Sequence, residues 1–411
     1  MVTTDAVSDH EFAPILGGVT APRGFVAAGV AAGLKKSGGL DVALLAASRP
    51  VPAAAVFTTN LVAAAPVVVS REHIAHGRVR AVVTNAGNAN ACTGEQGLVD
   101  AHAMAVATSD ALGCAPEEVI VASTGVIGAP LPLGLVLHAI VAAADALDRE
   151  SGSAAADAIM TTDTFPKQAA VSFAVAGRTY TVGGMAKGSG MIKPNMATML
   201  AYVTTDAPLT TRACDAALRA AVGRTFNRIT IDSDTSTNDM CVLLASGDAG
   251  GDAIDPASAG FGPVARAVHL VCGELARMMV RDGEGATKFV EVTVQGAASV
   301  RDAELAAFAI ADSPLCKTAI FGGDANWGRV AMAIGKSGAY VDPDAFDIVF
   351  AGVPTCAGGT ALPFDEEEAA AALAQREVDI VVDLHVGTDR ATVWTCDLSY
   401  EYVRINGDYR S

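Results

Sequence analysis

The residues best suited to chemistry lie in Gly183–Leu200, which reads GGMAKGSGMIKPNMATML. Glycines at 183, 184, 188 and 190 surround a lone charge, Lys187. Lys193-Pro194 then stiffens the chain, because proline fixes its own φ and pushes the preceding residue towards an extended shape. Thr198 is the one hydroxyl in the apolar run Met196–Leu200. An ordinary reading makes this a glycine-rich turn feeding a buried strand, with threonine chosen for its β-branch. A sharper reading makes Thr198 a nucleophile. Its hydroxyl is weak unless a base stands beside it. A cut between Ala197 and Thr198 would release an α-amine with an unperturbed pKa of about 7.7–8.0, well matched to a general base near neutral pH. The cut can be self-made: Thr198 Oγ attacks the Ala197 carbonyl, the peptide becomes an ester, and water opens it.

Other polar groups fall at the ends of expected elements. Ser123-Thr124-Gly125 follows the apolar run Val119–Ala122. A hydroxyl beside a turn amide forms a donor pair able to hold an oxyanion, although three such residues also make an ordinary strand end. Thr161-Thr162-Asp163-Thr164 reads as a capping cluster, and Glu284, between Gly283 and Gly285, as a surface acid.

Longer blocks point further. KGSGMIKPNMATML resembles the signature of the glutamate N-acetyltransferases, also called ornithine acetyltransferases. So do TNAGNANACTGEQG (Thr84–Gly97), ASTGVIG (Ala122–Gly128), MTTDTFPK (Met160–Lys167), TFNRITIDSDTSTND (Thr225–Asp239), RDGEGATK (Arg281–Lys288), CKTAIFGGDANWGR (Cys316–Arg329) and YVRINGDYRS (Tyr402–Ser411), in family order over nearly the whole chain.

The resemblance implies a layered α/β sandwich of the ornithine acetyltransferase type with a threonine nucleophile, and a smaller C-terminal α+β domain. Thr198 would be the nucleophile and Thr124 with Gly125 the oxyanion hole. Lys187, Glu284, Asn406 and Ser411 would contact substrate together with Thr198 and one threonine of the Thr161–Thr164 block. Alignment favours Thr161, with Thr164 the alternative. Threonine is usual at the final position, so Ser411 is a mild departure that keeps a hydroxyl. Cleavage would give an α chain of 1–197 and a β chain of 198–411, assembled as a heterotetramer or larger. The implied reaction carries acetyl from N2-acetylornithine to glutamate with no cofactor, for arginine or for a secondary-metabolite pathway. Acetyl-CoA as a second donor is left open. A threonine-nucleophile amidohydrolase of aminopeptidase type is the competing class.

Composition bounds these expectations. With 51% hydrophobic and 18% charged residues, the 411-residue chain can bury a large core and more than one domain. The net charge of −17 and the lack of a Lys/Arg cluster argue against nucleic acid. The start, MVTTDAVSDHEF, lacks the basic region of a secretory signal. The most apolar helical stretch, Leu131–Leu147, contains His138 and Asp145 and is too short to span a membrane. Eight cysteines without a CxxC pair fit buried thiols in the cytoplasm. Three motifs mislead. Gly335-Lys336-Ser337 lacks the spacing of a phosphate loop, Asp232–Ser236 lacks the glycine and closing glutamate of a calcium loop, and His73 with His76 lacks further ligands for zinc.

The elements that must position these groups follow from periodicity. Residues 1–30 read as a polar lead and glycine-rich entry. Leu40–Val56 reads as short strands about a Ser48-Arg49-Pro50 turn, and Arg78–Thr84 and Glu118–Ala122 as buried strands. Val171–Val182 reads as a hairpin turning at Gly177-Arg178. Helices are expected at Glu95–Leu112, Leu131–Leu147, Ala154–Met160, Thr211–Val222, Pro263–Val280, Ala303–Ile310 and Asp365–Arg376. Further strands are expected at Phe289–Val294 and Asp347–Val353. Val378–His385 and Ala391–Cys396 read as a second hairpin. The main domain is expected over 1–290 and the C-terminal one over 291–411.

Overall fold

The computed structural model describes residues 12–193 and 199–408. They fall into two compact units. The first contains 12–188, 199–227 and 235–276; the second contains 189–193, 228–234 and 277–408.

The first unit is built on β1 (Phe12–Pro14), β2 (Phe25–Val30), β3 (Val42–Phe57), β4 (Arg78–Asn88), β5 (Val119–Val126), β6 (Lys167–Val175), β7 (Arg178–Lys187), β8 (Leu200–Thr205) and β9 (Met240–Ala245). Among the described residues these strands run β1-β6-β7-β8-β9-β3-β4-β5, with β2 paired to β3. The long β3 serves two halves. Val42–Ala46 pairs with β2 and β4, while Ala53–Phe57 pairs with β9. The expected turn at Ser48-Arg49-Pro50 is instead a register irregularity between Ala46 and Val51 inside one continuous strand. Proline is tolerated there because the ladder is already interrupted. The glycine-rich entry also hides a strand, β2, whose FVAAGV carries little periodic signal.

The helices are α1 (Ala65–Ile74), α2 (Gly94–Leu112), α3 (Leu133–Asp145), α4 (Gly152–Ala158), α5 (Thr211–Arg224) and α6 (Phe261–Arg281). Strand alternation sends side chains into two cores. Val42, Leu44 and Ala46 join Met104, Val136 and Ile140 of α2 and α3. Ala43, Leu45 and Ala47 join Met185, Tyr202 and Val242 from the other half of the sheet. The unit is therefore layered. β8 and β9 are buried throughout, which suits their apolar runs, whereas β7 opens on exposed Arg178 and Thr179 and is buried from Val182 to Lys187.

The second unit holds β10 (Phe289–Ala297), β11 (Asp347–Phe350), β12 (Val353–Ala357), β13 (Thr360–Ala361), β14 (Glu377–Asp383) and β15 (Asp389–Cys396), ordered β13-β12-β11-β14-β10-β15. α7 (Val300–Ala311), α8 (Pro314–Phe321), α9 (Trp327–Gly335) and α10 (Glu366–Leu373) cover it, and α11 (Tyr400–Gly407) follows. Two expectations are corrected. Asp347–Val353 is not one strand but the start of the β11–β12 hairpin. β14 and β15 do not pair with each other, because β10 lies between them, parallel to β14 and antiparallel to β15. Alternation specifies which face a residue occupies, not which strand stands beside it.

Six of the cysteines are buried, Cys114 is intermediate and Cys92 is exposed; all eight are free thiols. Among the described residues no helix is long and apolar enough to cross a membrane.

Candidate active site

β4 and β5 are parallel neighbours and end together. Asn85 pairs with Ser123, Ala86 with Thr124, and Gly87 with Gly125. The chains approach so closely that a Cβ on Gly125 would lie 2.3 Å from the Gly87 carbonyl carbon and 2.6 Å from Asn88 N, and φ at Gly125 is +134°. Both features demand glycine. Gly125→Ala is expected to destabilise the first unit by on the order of 3 kcal/mol through strain and overpacking. A thermal melt against the parent chain checks this.

An amide network holds the two strand ends. Ser123 Oγ donates to Asn85 Oδ1 (2.6 Å), and Asn85 Nδ2 donates to Asn88 O (2.9 Å). Asn238, buried just before β9, donates from Nδ2 to Ala89 O (2.6 Å) and to Ser123 O (2.8 Å). Asn238 thus ties both strand ends together, and nothing in its sequence setting distinguishes it from a loop asparagine.

Lys187 ends β7. Its ammonium donates to Thr124 Oγ1 at 3.4 Å, and the residue is buried. Its backbone pairs with Leu200, the first residue of β8, which also pairs with Met240. Thr124, Gly125 and Lys187 are therefore gathered where the chain enters β8. Ala197 and Thr198 lie outside the described residues, as does Ser411.

Asp163 organises the next layer. Its side chain is fully buried and paired with Lys167 Nζ at 2.7 Å. It also accepts the amides of Gly188 (2.7 Å) and Thr161 (3.0 Å). Burial by itself would raise its pKa. The charges of Lys187 and Lys167, with the Lys167 and Thr161 hydrogen bonds, outweigh that and hold it at about 2. Lys35 stands close enough to feel both Asp163 and Lys187, and burial lowers its pKa. Lys167 and Lys187 thus face this one buried carboxylate, while Lys35 also lies near Asp41 and Asp157. Thr161 is joined to this cluster by its amide, whereas Thr164 is exposed. Asp163 and Lys167 are four residues apart in MTTDTFPK, but sequence alone does not show that the pair is buried.

In the second unit, Glu284 is buried and accepts Asn406 Nδ2 at 2.8 Å. Its amide donates to Ser189 O (2.8 Å). A Cβ on Gly190 would meet the Glu284 carboxyl carbon at 2.5 Å, so this glycine leaves room for the acid. Asp232, at the head of the false calcium loop, accepts the amides of Met191 and Ile192 at 2.5 and 2.8 Å. That bonding explains the residue without a metal. His73 Nδ1 bonds to Val119 O at 2.7 Å, a structural tie to β5.

Comparison with known proteins identifies the relatives of this arrangement. Residues 26–411 match the model of the ArgJ family. The "Arginine biosynthesis bifunctional protein ArgJ" of Symbiobacterium thermophilum is 55% identical over 97% of this chain and 99% of its own. The protein of the same name from Caldanaerobacter subterraneus is 49% identical over 96% and 99%. A crystal structure of ornithine acetyltransferase from Mycobacterium tuberculosis, complexed with ornithine, is 45% identical. It covers 45% of this chain and all of that one, with a TM-score of 0.43.

Proposed function

Because the chain belongs to the ArgJ family, we propose that it is an acetyltransferase of arginine biosynthesis. It moves the acetyl group of N2-acetylornithine to glutamate through an acetyl ester on Thr198. The observation that carries this reading is the meeting of Lys187 with Thr124, next to Gly125 and opposite the first residue of β8. That is the arrangement an oxyanion site needs beside a nucleophile two residues upstream of Leu200.

In this reading the precursor opens between Ala197 and Thr198, leaving chains 1–197 and 198–411. The freed amine takes the proton from Thr198 Oγ, which attacks the acetyl carbonyl. Thr124 and the Gly125 amide receive the developing oxyanion. Ornithine departs, glutamate enters, and the reverse sequence delivers N-acetylglutamate. An amide is exchanged for an amide, so no cofactor is required. Lys187 takes a substrate carboxylate. Thr161, in preference to Thr164, together with Glu284, Asn406 and Ser411, holds the rest of the amino acid, and the Glu284 carboxylate suits the ornithine ammonium. We assign the second activity in the relatives' name to acetylation of glutamate from acetyl-CoA. The acidic composition and the biosynthetic relatives fit a cytoplasmic enzyme, with α and β chains from one precursor assembled as a heterotetramer or larger.

The test is intact mass under denaturing conditions, followed by an assay with N-acetylornithine and glutamate. Two chains of the stated lengths and equal amounts of ornithine and N-acetylglutamate are expected. Acetate release that glutamate neither accelerates nor diverts would make the protein an amidohydrolase and overturn the proposal.

A further inference from the structure

Asp239 is the residue immediately before β9. Its main-chain oxygen accepts the Thr58 amide (3.0 Å), and the next residue, Met240, donates its amide to Met199 O (2.8 Å). The parallel register of β8 and β9 therefore sets Asp239 alongside Met199. The side chain is only 2% exposed, and among the described residues nothing hydrogen-bonds its Oδ2.

The remaining contacts of this carboxyl are to Ser236, Thr58 and the Met199 amide, with the Lys187 charge nearby. Hydrogen bookkeeping limits what they supply. Thr58 Oγ1 gives its one hydrogen to Ser236 O (2.7 Å) and accepts the Asn60 amide (3.1 Å), so it has none for Asp239. Two donors remain for a group that, ionised, presents about four acceptor sites. A buried carboxylate so poorly served is costly, and the neutral acid is the form that fits. Burial also pushes its pKa well above the ordinary carboxylate range, against its contacts with Ser236, Thr58 and Met199 and the charge of Lys187. An unsatisfied buried polar atom in a native core calls for an explanation. The nearest chemistry is one residue away, since the backbone nitrogen of Thr198 is separated from that of Met199 by only two chain atoms.

We propose that Asp239 is the acid of self-cleavage, handing the proton on its open oxygen to the Thr198 nitrogen as the Ala197–Thr198 bond breaks. The inference rests on reading Thr198 as the nucleophile. The step balances. Thr198 Oγ forms a bond to the Ala197 carbonyl carbon, and the carbon–nitrogen bond breaks. The nitrogen takes the proton from Asp239, and the hydroxyl hydrogen reprotonates Asp239. One proton passes from oxygen to nitrogen overall. Water then opens the ester, leaving the Ala197 carboxyl and restoring the Thr198 hydroxyl.

The test follows the full chain after synthesis in a cell-free system, sampled over time on a denaturing gel. Asp239→Asn keeps the shape but has no acidic proton to give, and its cleavage is expected to slow by about 10²-fold or more. Asp239→Glu, which restores the acid, is expected to cleave faster than Asp239→Asn. Cleavage of the parent chain is expected to slow in D2O, a measurement that needs no variant to fold. Parent-like cleavage of Asp239→Asn, or no effect of D2O, would overturn the inference. Thr198→Ala separates the two ideas: cleavage in that variant sinks the nucleophile itself, whereas its absence alongside parent-like Asp239→Asn sinks only the acid.

Discussion

Thr198→Ala is expected to run as a single full-length species on a denaturing gel and to lose acetyl transfer by on the order of 10⁴–10⁶-fold. The two losses have one cause. In the precursor the hydroxyl is the only nucleophile positioned by sequence next to the Ala197 carbonyl. In the mature protein the same oxygen would carry the acetyl group. Alanine removes the oxygen without adding bulk, so the fold has no reason to fail, and an unchanged melting temperature would establish that. Thr198→Ser keeps the oxygen and is expected to retain both cleavage and transfer at reduced rate. Intact mass for the first readout and ornithine release for the second check the pair. Appreciable transfer by the alanine variant would remove Thr198 from the mechanism.

The second large effect is expected at Asp163. Asp163→Asn leaves the Lys167 ammonium buried beside a neutral amide, and breaking a buried pair from one side costs about 3–5 kcal/mol. Lys167 Nζ and the Gly188 amide share Oδ1, so an amide oxygen there still accepts both, but the new NH₂ then faces the Thr161 N–H; turned the other way, the NH₂ faces the other two donors. Denaturant melts should show a lower midpoint with an unchanged slope. Turnover should fall as well, because the same carboxylate fixes Thr161 and the backbone just after Lys187.

The acid limb gives an independent check. The folded pKa of about 2 lies below the unfolded value, so the stabilisation is fully present above about pH 4. It is lost as pH falls from about 4 towards 2, and amounts to on the order of 2 kcal/mol. The parent chain should therefore lose this increment in mild acid, and Asp163→Asn should not, having already lost it.

The contrast between Thr198 and Asp163 shows what could be read in advance. Thr198 stands out in one dimension: it is a hydroxyl in an apolar run, behind a proline and a set of glycines. Asp163 does not, because Thr161–Thr164 looks like any capping cluster until its side chain is found buried against Lys167. Asn238 and Asp239 are equally silent in TSTND. What marks them is the strand ends that Asn238 ties and the unpartnered oxygen of Asp239, and both are products of packing.

Sequence by itself determined the family, through long blocks in a set order, and most of the helices and strands, through periods that local sterics impose. It also named Thr124, Gly125, Lys187, Glu284 and Asn406 as residues to watch. Tertiary structure alone decided the neighbours. It placed β10 between β14 and β15, carried β3 straight through the expected turn, and brought Lys187 to within 3.4 Å of Thr124. The reason is physical. Periodicity reports which face of an element is buried, because that depends on residues two to four apart. Which strand or charge lies across the gap depends on contacts between distant segments, and those exist only once the layers have closed.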